Sequence, residues 1–73
     1  MRRMSQKDRE FLASLYGPEV TSVEFADVVN ELSVDETHGG GNGVEITRYV
    51  LRDGRTATCH SGLWETFFFI TER

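Results

Sequence analysis

Two short turn signals in the C-terminal half constrain the fold of this chain more than any other feature. Asp53-Gly54 separates "VEITRYVLR" from "RTATCH", and Ser61-Gly62 separates "RTATCH" from "LWETFFFIT". All three runs are rich in β-branched and aromatic residues, which pack well on a pleated surface. An aspartate-glycine pair between such runs readily takes the positive backbone angles of a tight hairpin. The pattern predicts a three-stranded antiparallel meander over residues 44–71.

Before Val44 the apolar residues recur at helical spacing. Ser5 suits an N-cap with Asp8 three residues on, and "QKDREFLASLY" follows with Phe11, Leu12 and Leu15 on one face. Gly17 can take a left-handed C-terminal position, and Pro18 cannot continue the helix. A second helix is predicted to start at Thr21. "TSVE" is a Thr-x-x-Glu capping box, and Val20 and Phe25 occupy the hydrophobic-staple positions. Phe25, Val28, Val29 and Leu32 then fall at i, i+3, i+4 and i+7. A strand is the competing reading of residues 20–32, because "VTSVEFADVV" is β-branched, but its apolar positions do not alternate. Residues 1–4 read as a loose N-terminus. "DETHGGGNG", residues 35–43, reads as a flexible glycine-rich loop, because four glycines in five residues lose much backbone freedom on ordering. The expected fold is α+β. Two N-terminal helices pack on one face of the three-stranded antiparallel meander, in a single domain over residues 1–73.

So short a chain buries only a small core. Cys59 is its one cysteine, so an internal disulfide is impossible and a reducing, cytoplasmic setting fits, the host cell's cytoplasm if the chain is phage-encoded. The N-terminus has positive charge but no apolar segment of the signal-peptide kind, and the longest purely apolar run is Phe67 to Ile70. No membrane association is expected.

Several catalytic and ligand-binding readings fail on the residues. The glycine cluster runs from a helix toward a strand, lacks a Gly-Lys-Ser/Thr ending and has Asp35 and Glu36 beside it, so it is not a phosphate loop. An EF-hand fails because position twelve counted from Asp35 is Ile46. Asp35, Glu36 and His38 can touch a cation, but no four-ligand zinc set assembles. Cys59 and His60 are adjacent, so on a strand they point to opposite faces and cannot act as a pair. The expectation is no enzyme activity, no metal and no cofactor.

The charge pattern carries the remaining signal. No lysine or arginine occurs between Arg9 and Arg48, although the net charge of the whole chain is only -4. On a helix, Glu24, Asp27, Glu31 and Asp35 fall within roughly 80° of one another and form a ridge beside the apolar stripe. A merely solvated face usually mixes signs and gains i,i+4 support, whereas like charges at these spacings repel. The ridge suits a basic, nucleic-acid-binding surface on a partner protein.

The last strand offers a second surface. In "LWETFFFI", Leu63, Phe67 and Phe69 face one side, and Trp64, Phe68 and Ile70 the other. With both helices on one sheet face, Trp64, Phe68 and Ile70, joined by Tyr49 or Leu51, make an exposed aromatic patch for a partner or a homodimer. The alternatives are that the helices straddle the sheet or that the third strand is central and buried on both faces. Arg48, Arg52 and Arg55 gather around the first hairpin, but the acidic balance argues against direct nucleic-acid binding.

In its length, single cysteine, acidic stretch "VEFADVVNELSVDE" and helices followed by a meander, the chain resembles the small acidic anti-CRISPR inhibitors of bacteriophages. The resemblance covers the whole chain in outline, rests on no shared motif and transfers no site residue. The arginines at both ends depart from a uniformly acidic DNA mimic. What the resemblance implies is a non-catalytic inhibitor that binds a CRISPR effector complex and blocks access to target DNA. Two other readings stay open. One is a small regulatory or toxin–antitoxin-type dimer binding another protein through its aromatic sheet face. The other is a nucleic-acid-binding accessory module using Arg48, Arg52 and Arg55.

Overall fold

The computed structural model describes residues 4–63 and 65–72. The elements in chain order are α1 (Gln6–Tyr16), β1 (Glu19–Val20), α2 (Ser22–Leu32), β2 (Ser33–Gly41), β3 (Val44–Leu51), β4 (Thr56–Ser61) and β5 (Thr66–Ile70). The strands form one sheet in the order β1-β5-β4-β3-β2, and every neighbouring pair is antiparallel. The class is α+β, but the sheet has five strands rather than the expected three-stranded meander. The extra strands are β1, which pairs Glu19 and Val20 with Phe69 and Phe68, and β2, which occupies most of the expected loop.

The glycines of β2 are used rather than loose. Gly39, Gly40 and Gly41 pair with Ile46, Glu45 and Val44, completing a ladder whose peptide groups on β3 need partners. Asn42 (φ 55°) and Gly43 (φ 82°) make the two-residue turn with the paired positive angles of a type I′ hairpin. Gly40 has φ 124°, and a Cβ there would lie 2.2 Å from the Val44 carbonyl oxygen. Only glycine fits that approach.

Antiparallel partners share a sheet face, so the register sorts the side chains. Tyr49, Leu51, Ala57, Cys59, Phe68 and Ile70 lie on one face, and Arg48, Thr58, His60, Phe67 and Phe69 on the other. Helix α2 packs on the first face and α1 on the second. The expectation that both helices share one face is therefore overturned. The edges β1 and β2 are four strand spacings apart, roughly 19 Å, and an eleven-residue helix is about 16.5 Å long. Helix α2 connects one edge directly to the other. It can do so only by crossing the strands, and α1 is left with the opposite face.

Phe25 anchors α2. It is buried, with its ring centroid 4.9 Å from Phe68 and 5.8 Å from Tyr49. Leu51, Ala57 and Ile70 complete that core, with Val28, Val29 and Leu32 packed around it. Helix α1 is held differently, since none of its residues is fully buried. Tyr16 meets Phe69 at 5.8 Å, and the Arg9 guanidinium lies 5.1 Å above the Phe67 ring. The same guanidinium bonds both Glu19 carboxylate oxygens, at 2.7 and 2.9 Å. This stacked, ion-paired arginine rotates α1 so that Phe11 and Leu15, expected on the inner face, are 63% and 57% exposed.

Both helix starts follow the capping pattern of the sequence. The Ser5 hydroxyl accepts from the Asp8 N–H at 3.2 Å, and the Thr21 hydroxyl accepts from the Glu24 N–H at 3.1 Å. Ser5→Ala and Thr21→Ala are each expected to lower unfolding free energy by about 1 kcal/mol, read from urea denaturation with an unchanged slope.

Candidate functional surface on the second helix

The ridge begins at the α2 N-terminus. Glu24, Asp27 and Glu31 are all exposed, and they fall within roughly 60° of one another around the helix axis. The apolar stripe of Phe25, Val28, Val29 and Leu32 is held against the sheet, which turns the carboxylates to solvent. Among the described residues, the ion pairs are Arg9–Glu19, Arg55–Asp53 and His38–Glu36, and none involves the three ridge carboxylates. The arginine at the end of α2 is otherwise engaged. Arg52 donates from its guanidinium to the Glu31 carbonyl oxygen at 3.3 Å, and from its backbone N–H to the Leu32 carbonyl at 2.7 Å. It closes the helix C-terminus rather than a side-chain carboxylate.

Asp35 does not belong to the ridge. The helix ends at Leu32, Ser33 is already extended (ψ 129°), and Asp35 pairs with Val50 on β3. The Asp35 carboxylate accepts the adjacent Glu36 N–H at 2.8 Å. The helical projection that included it extended the helix one turn too far.

The expected aromatic patch is covered. Ile70 is buried at 5% exposure, while Phe68 and Tyr49 are half-buried against Phe25. Trp64, the remaining member, lies outside the described residues, as do residues 1–3 and Arg73. The reason is the placement of α2, which occupies the face on which the patch was expected. The three hairpin arginines are not brought together. Arg48 is exposed on the α1 side of the sheet, Arg52 closes α2 and Arg55 pairs with Asp53 at 2.8 Å.

One polar chain has no signal in helical or loop patterning. His38 Nε2 meets the Glu36 carboxylate, and His38 Nδ1 lies 3.3 Å from the Thr47 hydroxyl. Residues 36 and 38 share a face only if the segment is a strand, so the loop reading hid the pair. Among the described residues, no group of three His, Cys, Asp or Glu is placed to hold a metal ion. Cys59 is half-buried, and burial, with a smaller push from Glu45, raises its thiol above the ordinary range and keeps it protonated at neutral pH. Burial likewise raises the Tyr49 phenol, helped by the charge of Glu36. His60 is buried beneath the α1 side with Nδ1 unpaired. None of these groups faces another in the manner of a nucleophile and its base.

The fold and surface together define a small α+β domain with a helix on each face of its sheet and one acidic helical face open to solvent. No protein-family model, curated protein or solved structure matches the chain.

Proposed function

We propose that the chain is a non-catalytic binding protein that docks the acidic face of α2 on a basic, nucleic-acid-binding surface of a partner protein and occludes it. One observation carries this reading. Among the described residues, Glu24, Asp27 and Glu31 stand exposed without a salt-bridge partner, although Glu19, Glu36 and Asp53 are paired. Like charges at i,i+3 and i,i+4 cost a helix about 0.2–0.5 kcal/mol per pair. Glu31 in the last turn also opposes the helix dipole. A surface that only needed solvation would relieve both with a single lysine. The unpaired carboxylates instead project a field that steers a basic partner and sets its orientation. A CRISPR effector complex, which the outline resemblance implies, is the particular partner to test first.

The test is capture of partners from the native host by the wild-type chain and by the variant Glu24→Gln/Asp27→Asn/Glu31→Gln. The expected outcome is a nucleic-acid-binding protein held by the first and lost from the second. The variant should be as stable as the wild type or slightly more so, by a few tenths of a kcal/mol. Undiminished capture by the variant contradicts the reading.

A further inference from the structure

Among the described residues no strand pairs with the outer edge of β2, and we propose that it pairs antiparallel with the β2 edge of a second copy, joining two sheets into one. The other sheet edge is only the two residues of β1, preceded by Pro18 and followed by α2. By contrast β2 runs for nine residues, and those from Val34 to Gly41 are all exposed. It carries no proline and no lysine, and the bulge between Ser33 and Asp35 interrupts only its first residues, leaving Asp35 to Gly41 in regular register.

The ladder fixes which groups face outward. The two-residue turn closes on Gly41 and Val44, so the pairs Gly41/Val44, Gly39/Ile46 and Thr37/Arg48 bond inward to β3. Between them, Glu36, His38 and Gly40 turn their N–H and C=O groups away from the sheet. The Glu36 N–H agrees, for it is met by the Asp35 carboxylate and not by β3.

The sequence of this edge is complementary to itself. With a two-fold axis at Thr37, Glu36 and His38, which meet each other within one chain, also lie opposite His38 and Glu36 of the second copy, and Asp35 lies opposite Gly39, which has no side chain to repel it. Thr37 faces its own copy, a favourable cross-strand pair. Shifting the register by two residues sets Glu36 against Glu36, or moves both Glu36 carboxylates away from the His38 rings, so the Glu36–His38 match selects one register. The Asp35 cap on the Glu36 N–H is displaced on pairing. The axis stands perpendicular to the joined sheet, so both α2 helices lie on the same side of it. The inference does not depend on what α2 binds.

The test is sedimentation of the full chain across micromolar to millimolar concentration, with amide exchange as a second readout. A reversible dimer is expected, with slowed exchange at the His38 and Gly40 amides. His38→Glu, which opposes like charges twice, should weaken the dimer by at least about tenfold. The double variant Glu36→Lys/His38→Glu sets Lys opposite Glu at the same two positions and should restore it. Asp35→Ala, which frees the Glu36 N–H, should strengthen it. A monomer at every concentration overturns the proposal. So does a dimer indifferent to these variants, or edge protection that appears only when an unrelated extended peptide is added.

Discussion

Gly17→Ala is expected to destabilise the chain by about 3 kcal/mol or more, a large share of the roughly 4–11 kcal/mol available to a domain of this size. Gly17 ends α1 with φ 104° and ψ 176°, and its N–H bonds the Ala13 carbonyl at 2.8 Å. A Cβ there would lie 2.4 Å from the Ile70 carbonyl oxygen and 2.6 Å from the Thr71 Cα. Both obstacles are backbone atoms at the end of β5, and the neighbouring Pro18 carbonyl already accepts the Ile70 N–H at 3.2 Å. Neither the helix end nor the strand end can retreat without breaking the junction between them. Gly39→Ala is the matched control, because a Cβ at Gly39 meets nothing within 4 Å. It should leave the urea midpoint nearly unchanged. Equal losses from the two substitutions would show that backbone freedom, not the close approach at Ile70, sets the need for glycine.

Phe69→Ala is expected to remove about 3–5 kcal/mol, most or all of the stability of a domain at the lower end of the range for this size. Phe69 is 0% exposed in the strand next to the sheet edge, with Tyr16 of α1 over it. Truncation opens a cavity between sheet and helix, and α1 has no buried residue of its own with which to fill it. Phe11→Ala should change stability by less than about 1 kcal/mol, since that ring is 63% exposed. The pair of substitutions tests the orientation of α1 directly. A larger loss at Phe11 than at Phe69 would mean that the helix presents its other face to the sheet. Circular dichroism with urea titration reads both.

Where local chemistry decides structure, the residues were legible. Ser5 and Thr21 cap as their spacing with Asp8 and Glu24 implies, and Gly17 stops α1 next to Pro18. Phe67 and Phe69 separate from Phe68 and Ile70 as strand alternation requires. The glycine-rich segment was not legible, because glycine propensity speaks against a strand while pairing with β3 overrides it. Asn42-Gly43 was the available signal, a dipeptide of the same turn class as Asp53-Gly54. Reading it as a turn makes "SVDETH" a strand and shortens α2 to Leu32, which removes Asp35 from the ridge. The side of the sheet on which each helix packs follows from the distance that α2 must span between the two edges. That distance exists only once β1 and β2 are known to be strands. The exposure of Phe11 depends on the Arg9–Glu19 pair, a contact between segments that no periodicity encodes.

Of the candidate surface, the core of three carboxylates was legible and its limits were not. Glu24, Asp27 and Glu31 follow from helical spacing alone, whereas the cover over Phe68 and Ile70 follows from tertiary packing. The account rests on those three charges being read by another molecule. The most direct measurement is the affinity of the captured partner as a function of ionic strength, for the wild-type chain and for Glu24→Gln/Asp27→Asn/Glu31→Gln. Wild-type affinity is expected to fall steeply with added salt, and the variant to bind weakly with a nearly flat dependence. Identical affinities and identical salt slopes for the two chains would contradict it.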